Sequence, residues 1–264
     1  MIIIVSVLFY FLSTAAYIAY FFIQKNYLYK IGFYLLLTGL FFHSTDFIFK
    51  FTQINVFPIN SLQDTLLLAA IAIPISFMLF QYKLNLKILG GYAALSTLFI
   101  TIIAIFLPTQ RSAEIQNLFK NSWLASHVII IFMGNAFLSL ACGAGLLYLI
   151  QEYTIKTKHN RFFFKRLPSL ELLDSAGYTS IIMGFTLLSL GMIIGFTYGK
   201  IVWGKFWTWS PKEVCTSVTW ILYSALIHER LTVGWRGRRS AIMAIIGFVL
   251  TIFTFLGIIY IRYA

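Results

Sequence analysis

The pattern of apolar and polar residues divides the chain into eight long hydrophobic runs with short polar segments between them. The runs cover residues 2–23, 31–49, 65–82, 88–107, 125–150, 176–196, 214–227 and 240–261. Most reach the roughly 20 residues that a helix needs to cross a hydrocarbon core. They lack the strict apolar/polar alternation of transmembrane β-strands. The pattern therefore predicts an all-α integral membrane protein, a bundle of eight transmembrane helices forming one membrane domain over residues 1–264.

Composition agrees with this interpretation. The chain is 60% hydrophobic and 11% charged, whereas an ordinary soluble domain carries about 25% charged residues. The first run lacks a basic leader and is too long for a signal-peptide core, so we expect it to stay as a span. The two cysteines, Cys142 and Cys215, lie far apart in apolar runs. We expect two buried thiols, and the absence of a C-x-x-C pair argues against thiol–disulfide chemistry in this chain.

The distribution of Lys and Arg predicts the orientation in the membrane. Thirteen of the 20 lie in the segments 24–30, 81–87, 151–175 and 228–239, which alternate with the remaining loops and the termini. By the positive-inside rule these segments face the cytoplasm, and both termini lie on the outer (periplasmic or extracytoplasmic) side. The net charge of +12 then indicates contact with anionic lipid rather than nucleic-acid binding.

A tryptophan-rich segment at residues 199–213 lies on the predicted outer side. Its aromatic residues are Trp203, Phe206, Trp207 and Trp209, which include three of the six tryptophans in the chain. Membrane interfaces attract such rings, but rarely this many in seven residues. If residues 201–208 are helical, the first three rings share one face. The segment predicts a surface for a large, planar, apolar guest.

Helix-start signals fix the depth of these rings and of one histidine. Ser210 is followed by proline and, three positions on, by Glu213, which predicts a capping box that opens the seventh span. Ser61 and Asp64 show a similar pattern before the third span. Asn121 or Ser122 is expected to cap the fifth span, which places His127 within its first two turns.

Three of the four histidines lie in or at the ends of spans. His43 lies deep in the second span with Asp46 one turn further on, His127 at the outer end of the fifth, and His228 at the inner end of the seventh. His159, in a basic loop, is expected to be solvent-exposed. Ionisable residues at membrane depth are costly and suggest function.

Three roles remain open for these histidines on the residues alone. They could hydrogen-bond between helices, ligate the iron of a metal macrocycle from two spans, or transfer protons through His43 and Asp46. Their separation in sequence argues against a compact zinc site within one segment.

The tryptophan-rich segment, WGKFWTWSPKE (203–213), resembles the WWD signature of haem-handling proteins of cytochrome c maturation. The similarity is to the CcsA/ResC branch of system II, which includes short HemX-like proteins. Four further segments resemble that family: GLFFHSTDFIF (39–49), FPINSLQDTLLLAA (57–70), SWLASHV (122–128) and LPSLELLD (167–174).

The resemblance implies a function and a set of ligands. The chain would bind haem b and deliver it to the outer face of the cell's inner or plasma membrane, for covalent attachment to apocytochrome c. His127 would be an outer axial ligand, and His43 and His228 would hold haem within the membrane. A CcsB/ResB-like membrane protein would be its partner. The chain would then be at most a component of a haem lyase (holocytochrome c synthase) complex.

The sequence departs from the family pattern at two points. Ser210 replaces the usual aspartate of the signature, and no histidine follows His228, so a second outer ligand would come from a partner. The second departure favours one alternative, a HemX-like membrane regulator of tetrapyrrole synthesis. Another alternative is a small transporter with a His43–Asp46 relay.

Overall fold

The structure is a computed structural model that describes residues 2–54, 57–58, 61–84, 86–107, 122–157 and 166–263. Eight helices occupy most of these ranges: α1 Ile2–Ile23, α2 Asn26–Ile54, α3 Leu62–Leu84, α4 Leu89–Phe106, α5 Ser122–Thr157, α6 Leu170–Trp203, α7 Pro211–Thr232 and α8 Arg238–Tyr263. The described ranges contain no strand. The predicted all-α architecture of eight helices is confirmed.

Helix length and apolarity identify an integral, multi-pass membrane protein. Among the described residues, α1 to α6 are each long and apolar enough to cross a membrane. α7 and α8, with 22 and 26 residues, remain predicted spans. Large apolar side chains such as Phe41, Phe99 and Ile193 are strongly exposed around the helices. Exposure on this scale would be unfavourable in water and is expected where side chains face lipid.

The helices group into two compact units, Met1–Ala125 and Ser126–Ala264. In the first unit, the buried ring of Tyr17 joins the helices of the bundle. It packs against Gly32 of α2 and Gly90 of α4, where an added Cβ would collide with it. The Phe77 ring of α3 meets it edge-on, with 6.5 Å between the ring centroids. Ser61 accepts a hydrogen bond from the backbone N–H of Asp64 at 3.1 Å, so the predicted cap of α3 is confirmed.

In the second unit, α5 and α6 run antiparallel in close contact through glycines. Four pairs of facing positions define this helix contact: His127 with Gly195, Ile131 with Gly191, Gly134 with Leu188, and Leu138 with Gly184. Small residues let helix backbones approach closely within a membrane. Tyr223 of α7 and Ala244 of α8 complete the core around Leu138.

The opposite end of the second unit is held by an ion pair. Arg230, in the last turns of α7, binds the carboxylate of Asp174 on α6. The same carboxylate accepts a hydrogen bond from the backbone N–H of Gly237, just before α8 begins. Lys/Arg distribution predicts this end to face the cytoplasm, so the three helix ends are tied together at the inner boundary.

Two sequence expectations need correction. The sixth helix is longer than the predicted 176–196 run, because Ser169 caps it early by accepting from the N–H of Leu172 at 3.3 Å. Cys142 is buried as expected, but Cys215 is exposed. Cys215 lies next to an exposed apolar stripe of α7 that includes Val218 and Ile221, which no described helix covers.

Candidate functional site

The tryptophan-rich segment begins where α6 ends. The helix continues to Trp203 and stops at Gly204, which adopts a left-handed conformation (φ 71°) while its N–H donates to the Lys200 carbonyl. Glycine takes this conformation without the steric cost of a Cβ. Residues 204–210 are therefore not helical. The condition under which Trp203, Phe206 and Trp207 would share a helical face is therefore not met, and the side chain of Trp203 lies outside the described part.

The segment ends in the predicted capping box. Ser210 Oγ accepts from the Glu213 N–H at 3.3 Å, and the Glu213 carboxylate accepts in return from the Ser210 N–H. The same carboxylate also accepts from the N–H of Thr208 at 2.8 Å and from its hydroxyl at 2.9 Å. Partial burial acts to raise the pKa of Glu213, but these hydrogen bonds outweigh it and lower that pKa.

Glu213 thereby holds the backbone on both sides of Trp209. Trp209 has a positive φ of 58°, an uncommon conformation for a bulky residue. The N–H groups of its neighbours, Thr208 and Ser210, both donate to Glu213 Oε2. The side chain of Trp209 is 77% exposed and that of Phe206 is 58% exposed. The segment therefore presents these two rings to the surroundings from a backbone fixed by one carboxylate.

Trp207 points back towards the helices. Its ring packs on Phe196 of α6, with centroids 5.6 Å apart, and meets Trp209 edge-to-face at 5.5 Å and 86°. Trp207 and Trp209 thus form a corner rather than one flat surface. The indole N–H of Trp207 is buried and has no acceptor among the described residues.

His127 lies at the same end of α6 as Trp207. Its Nδ1 is 2.7 Å from the carbonyl oxygen of Gly191, and its half-buried ring lies against Gly195, where an added Cβ would come within 2.6 Å of Cε1. Gly195 and Phe196 are consecutive, so neighbouring positions of α6 contact the imidazole and the Trp207 ring. α5 begins at Ser122, and His127 lies within its first two turns as predicted. Asn121 lies outside the described residues.

His43 lies in the core of the first unit and is 1% exposed. Its Nδ1 is 3.2 Å from the hydroxyl of Tyr10, and its Nε2 is buried with no hydrogen-bond partner among the described residues. Asp46 instead pairs with Lys50 at 3.3 Å. The His43–Asp46 relay is therefore not formed in this structure.

His228 lies on α7, close to the inner ion pair. Its side chain is exposed, and its carbonyl accepts from the hydroxyl of Thr232 at 2.8 Å. It is two residues from Arg230, which binds Asp174 near the start of α6, whereas His127 lies near the end of α6. His127 and His228 are thus at opposite ends of the second unit. His43 belongs to the first unit, and His159 lies outside the described residues.

Sequence reasoning did not identify Tyr10 or the pairing of Asp174 with Arg230. The ion pair had a signal, because charged residues beside apolar runs usually find a partner of opposite charge. Tyr10 had none, because it is one of many aromatic residues in an apolar run and its partner is 33 positions away.

A profile of the family described as "Cytochrome C assembly protein" matches residues 59–262. The chain belongs to this family. The matched range includes His127, His228 and the whole tryptophan-rich segment, whereas His43 precedes it.

Relatives within the cytochrome c assembly family carry a consistent description. Three proteins named "Cytochrome c biogenesis protein CcsA" are similar over most of this chain. The one from Guillardia theta is 29% identical, covering 79% of this chain and 75% of its own. The one from Prochlorococcus marinus (strain MIT 9301) is 28% identical, covering 80% and 75%. The one from Chlamydomonas reinhardtii is 30% identical, covering 76% and 58%.

A solved structure shares the fold of this cytochrome c assembly protein. "Cytochrome c Heme Lyase CcmF" superposes with a TM-score of 0.63 at 14% identity and covers 94% of this chain. This chain spans only 45% of the length of that structure. The similarity to CcmF therefore supports the helical architecture. The CcsA relatives indicate a function in cytochrome c biogenesis and do not support the regulator or transporter alternatives.

Proposed function

We propose that this cytochrome c biogenesis protein binds haem b and presents it at the outer face of the membrane for attachment to apocytochrome c. One observation carries the proposal beyond family membership. His127 and Trp207 contact consecutive residues of α6, Gly195 and Phe196. An iron ligand and an aromatic ring therefore pack against the same end of α6, the end that charge predicts to be outside.

The hydrogen bond of His127 suits an axial ligand. A carbonyl oxygen only accepts, so its contact with Nδ1 at 2.7 Å means that Nδ1 carries the proton. Nε2 then holds the lone pair that iron requires. Metal-ligating histidines commonly donate their other N–H to a backbone carbonyl, which fixes the ring orientation. In this proposal Gly191 has that role.

The aromatic segment would hold the porphyrin beside that ligand. Trp209 and Phe206 offer exposed rings, and stacking on such rings gives large contact area at low entropic cost. Attachment itself is an addition of each client cysteine S–H across a haem vinyl group. A C–S bond forms, the proton goes to the other vinyl carbon, and nothing leaves. In this reaction the protein would orient the haem relative to the client cysteines.

His43 fits the role of a ligand within the membrane. A buried imidazole nitrogen without a partner is costly, and His43 Nε2 is such an atom in the described structure. An iron bond would satisfy it. Because Nε2 is covered in this structure, iron would reach it only after the covering side chains move. His228 is exposed on α7, and we propose it as a haem ligand of the second unit.

Two partners follow from the proposal. Haem at the outer site needs a second axial ligand for bis-His coordination. His127 is the one histidine of this sequence predicted at the outer face, so we assign the second ligand to a CcsB/ResB-like membrane protein. The chain would then be one component of a haem lyase complex in the inner or plasma membrane. On the predicted cytoplasmic side, Trp235 and Arg236 lie between α7 and α8, and Arg239 lies in the first turn of α8; these residues would contact anionic lipid.

Purification in detergent tests the haem assignment. Protein from haem-replete cells should carry b-type haem with the absorption spectrum of a low-spin, bis-His iron. His43→Ala and His228→Ala should each deplete that haem. His127→Ala should retain it while c-type cytochromes fail to form. Haem-free wild-type protein, or normal c-type cytochromes in a strain lacking this protein, would contradict the proposal.

A further inference from the structure

Tyr10 and His43 form a buried polar pair inside an otherwise apolar part of the first unit. Tyr10 is 0% exposed and His43 is 1% exposed. Oη of Tyr10 lies 3.2 Å from Nδ1 of His43, and the two rings meet edge-on with centroids 6.0 Å apart. The contact joins α1 to α2 and is the hydrogen bond that the described structure gives to the His43 ring.

Packing fixes the position of the tyrosine hydroxyl. The ring of Tyr10 lies on Gly39 of α2, where an added Cβ would come within 2.8 Å of ring carbons. One residue before Tyr10 and one before His43, the rings of Phe9 and Phe42 stack at 5.5 Å with 10° between their planes. These contacts hold α1 and α2 in register. Oη therefore has little freedom to leave Nδ1.

The pair has two proton arrangements, and only one of them leaves His43 able to bind a metal. If Tyr10 donates to Nδ1, the imidazole proton is on Nε2 and no lone pair is available there. If Nδ1–H donates to Oη, the lone pair is on Nε2. A tyrosine hydroxyl both donates and accepts, so it serves either arrangement.

We propose that Tyr10 is a positioning residue that accepts the Nδ1–H of His43 and so presents the Nε2 lone pair to the iron of haem held in the membrane. The inference rests on the proposed function, in which His43 is a haem ligand. A hydrogen bond to the distal nitrogen of a ligating histidine orients the ring and raises its basicity. A more basic axial ligand stabilises ferric iron, so Tyr10 would lower the reduction potential of that haem.

Tyr10→Phe tests this inference, because it removes the hydroxyl and keeps the ring. We expect faster haem loss, by roughly tenfold or more, and a reduction potential more positive than that of the wild-type protein. Tyr17→Phe is the matched control. Tyr17 is also buried on α1, its hydroxyl has no described partner, and its ring contacts Phe77 rather than a histidine. That variant should keep wild-type haem affinity and potential.

The outcomes separate the inference from the proposed function. If His43→Ala depletes the haem but Tyr10→Phe leaves both potential and dissociation rate unchanged, Tyr10 has no positioning role and the function stands. If His43→Ala retains full haem, the assignment of His43 as a ligand fails first.

A second measurement covers the case in which Tyr10→Phe does not fold. Protein with 3-fluorotyrosine incorporated at position 10 alone carries a hydroxyl that is a weaker acceptor there. Its haem should have a more positive potential than that of the same protein with ordinary tyrosine. An unchanged potential would overturn the inference.

Discussion

Arg230 and Asp174 form a two-point ion pair, with Nη1–Oδ1 and Nη2–Oδ2 distances of 3.0 and 2.7 Å. The guanidinium lies 4.1 Å from the centre of the Tyr178 ring, and the carboxylate also accepts from the N–H of Gly237 at 2.8 Å. One aspartate thus connects α6, α7 and the start of α8. Asp174 closes the LPSLELLD segment that resembles the assembly family, and this geometry gives it a structural role.

Asp174→Asn should destabilise the second unit strongly. Both side chains are largely buried, with 13% and 11% exposed, and breaking a buried pair strands the remaining charge at a cost of about 3 kcal/mol. Thermal unfolding of the detergent-solubilised protein measures the loss. Glu171→Gln removes an exposed carboxylate from the same helix and serves as the control. Equal stability of the two variants would contradict a clamp role for Asp174.

Ser210→Ala should weaken the start of α7. Its hydroxyl accepts the N–H of Glu213, and loss of a helix N-cap costs about 1 kcal/mol. Ser210→Asp introduces the aspartate usual in the signature and should keep the stability, because aspartate caps equally well. Unfolding curves of both variants provide the test. A Ser210→Asp protein as unstable as Ser210→Ala would show that capping is not what this position requires.

Acid should release the tryptophan-rich segment through Glu213. Hydrogen bonds to the carboxylate lower the pKa of Glu213 below its ordinary value of 4.5 in the folded chain. The folded state therefore favours the charged form. Its stabilising contribution is fully present above that value and is lost as pH falls through the lowered pKa.

The release of the tryptophan-rich segment can be monitored by fluorescence quenching. Quenching of tryptophan by a neutral quencher should increase as the wild-type protein is acidified below the lowered pKa of Glu213. Glu213→Gln, which has no charge to lose, should show high quenching with little pH dependence over the same range. Identical profiles for the two proteins would show that another group controls the segment.

Gly195→Ala should displace the imidazole of His127. The new Cβ would be 2.6 Å from Cε1 and 3.0 Å from Nδ1, which is too close for the ring to stay in place. A misplaced ligand should reduce c-type cytochrome formation roughly tenfold to hundredfold. Gly177→Ala, on the same helix, meets its nearest neighbour at an ordinary 3.8 Å and should behave as wild type. Both proteins should accumulate to similar levels, and full activity of Gly195→Ala would exclude a ligand role for this ring position.

Features that depend on neighbouring residues were predictable from the sequence. The N-cap at Ser61 and the capping box at Ser210 form as expected, because each involves residues three positions apart. Helix ends were less predictable. The sixth apolar run stops at Phe196, yet the helix continues through Gly199 to Trp203 and ends at Gly204, which adopts a left-handed conformation.

Contacts between residues far apart in the sequence could not be predicted from local patterns. Tyr10 and His43 are 33 positions apart, and Asp174 and Arg230 are 56 apart. No periodicity within a single helix links them. The exposure of Cys215 likewise depends on which face of α7 the other helices leave uncovered. The histidines themselves could be singled out, but the partners of their rings required the packed structure.

Because α5 packs against α6 through glycines, the length of α6 determines how far His127 lies from the Asp174–Arg230 pair. Gly195, beside His127, and Asp174, beside Arg230, are 21 positions apart on one continuous helix. At about 1.5 Å per residue this separation is roughly 32 Å, which is close to the thickness of a bilayer's hydrocarbon core, about 30 Å. With the Asp174–Arg230 pair at one predicted water boundary, His127 is predicted to lie at the other. The depth of the imidazole then depends on the number of residues that separate Asp174 from Gly195 along α6.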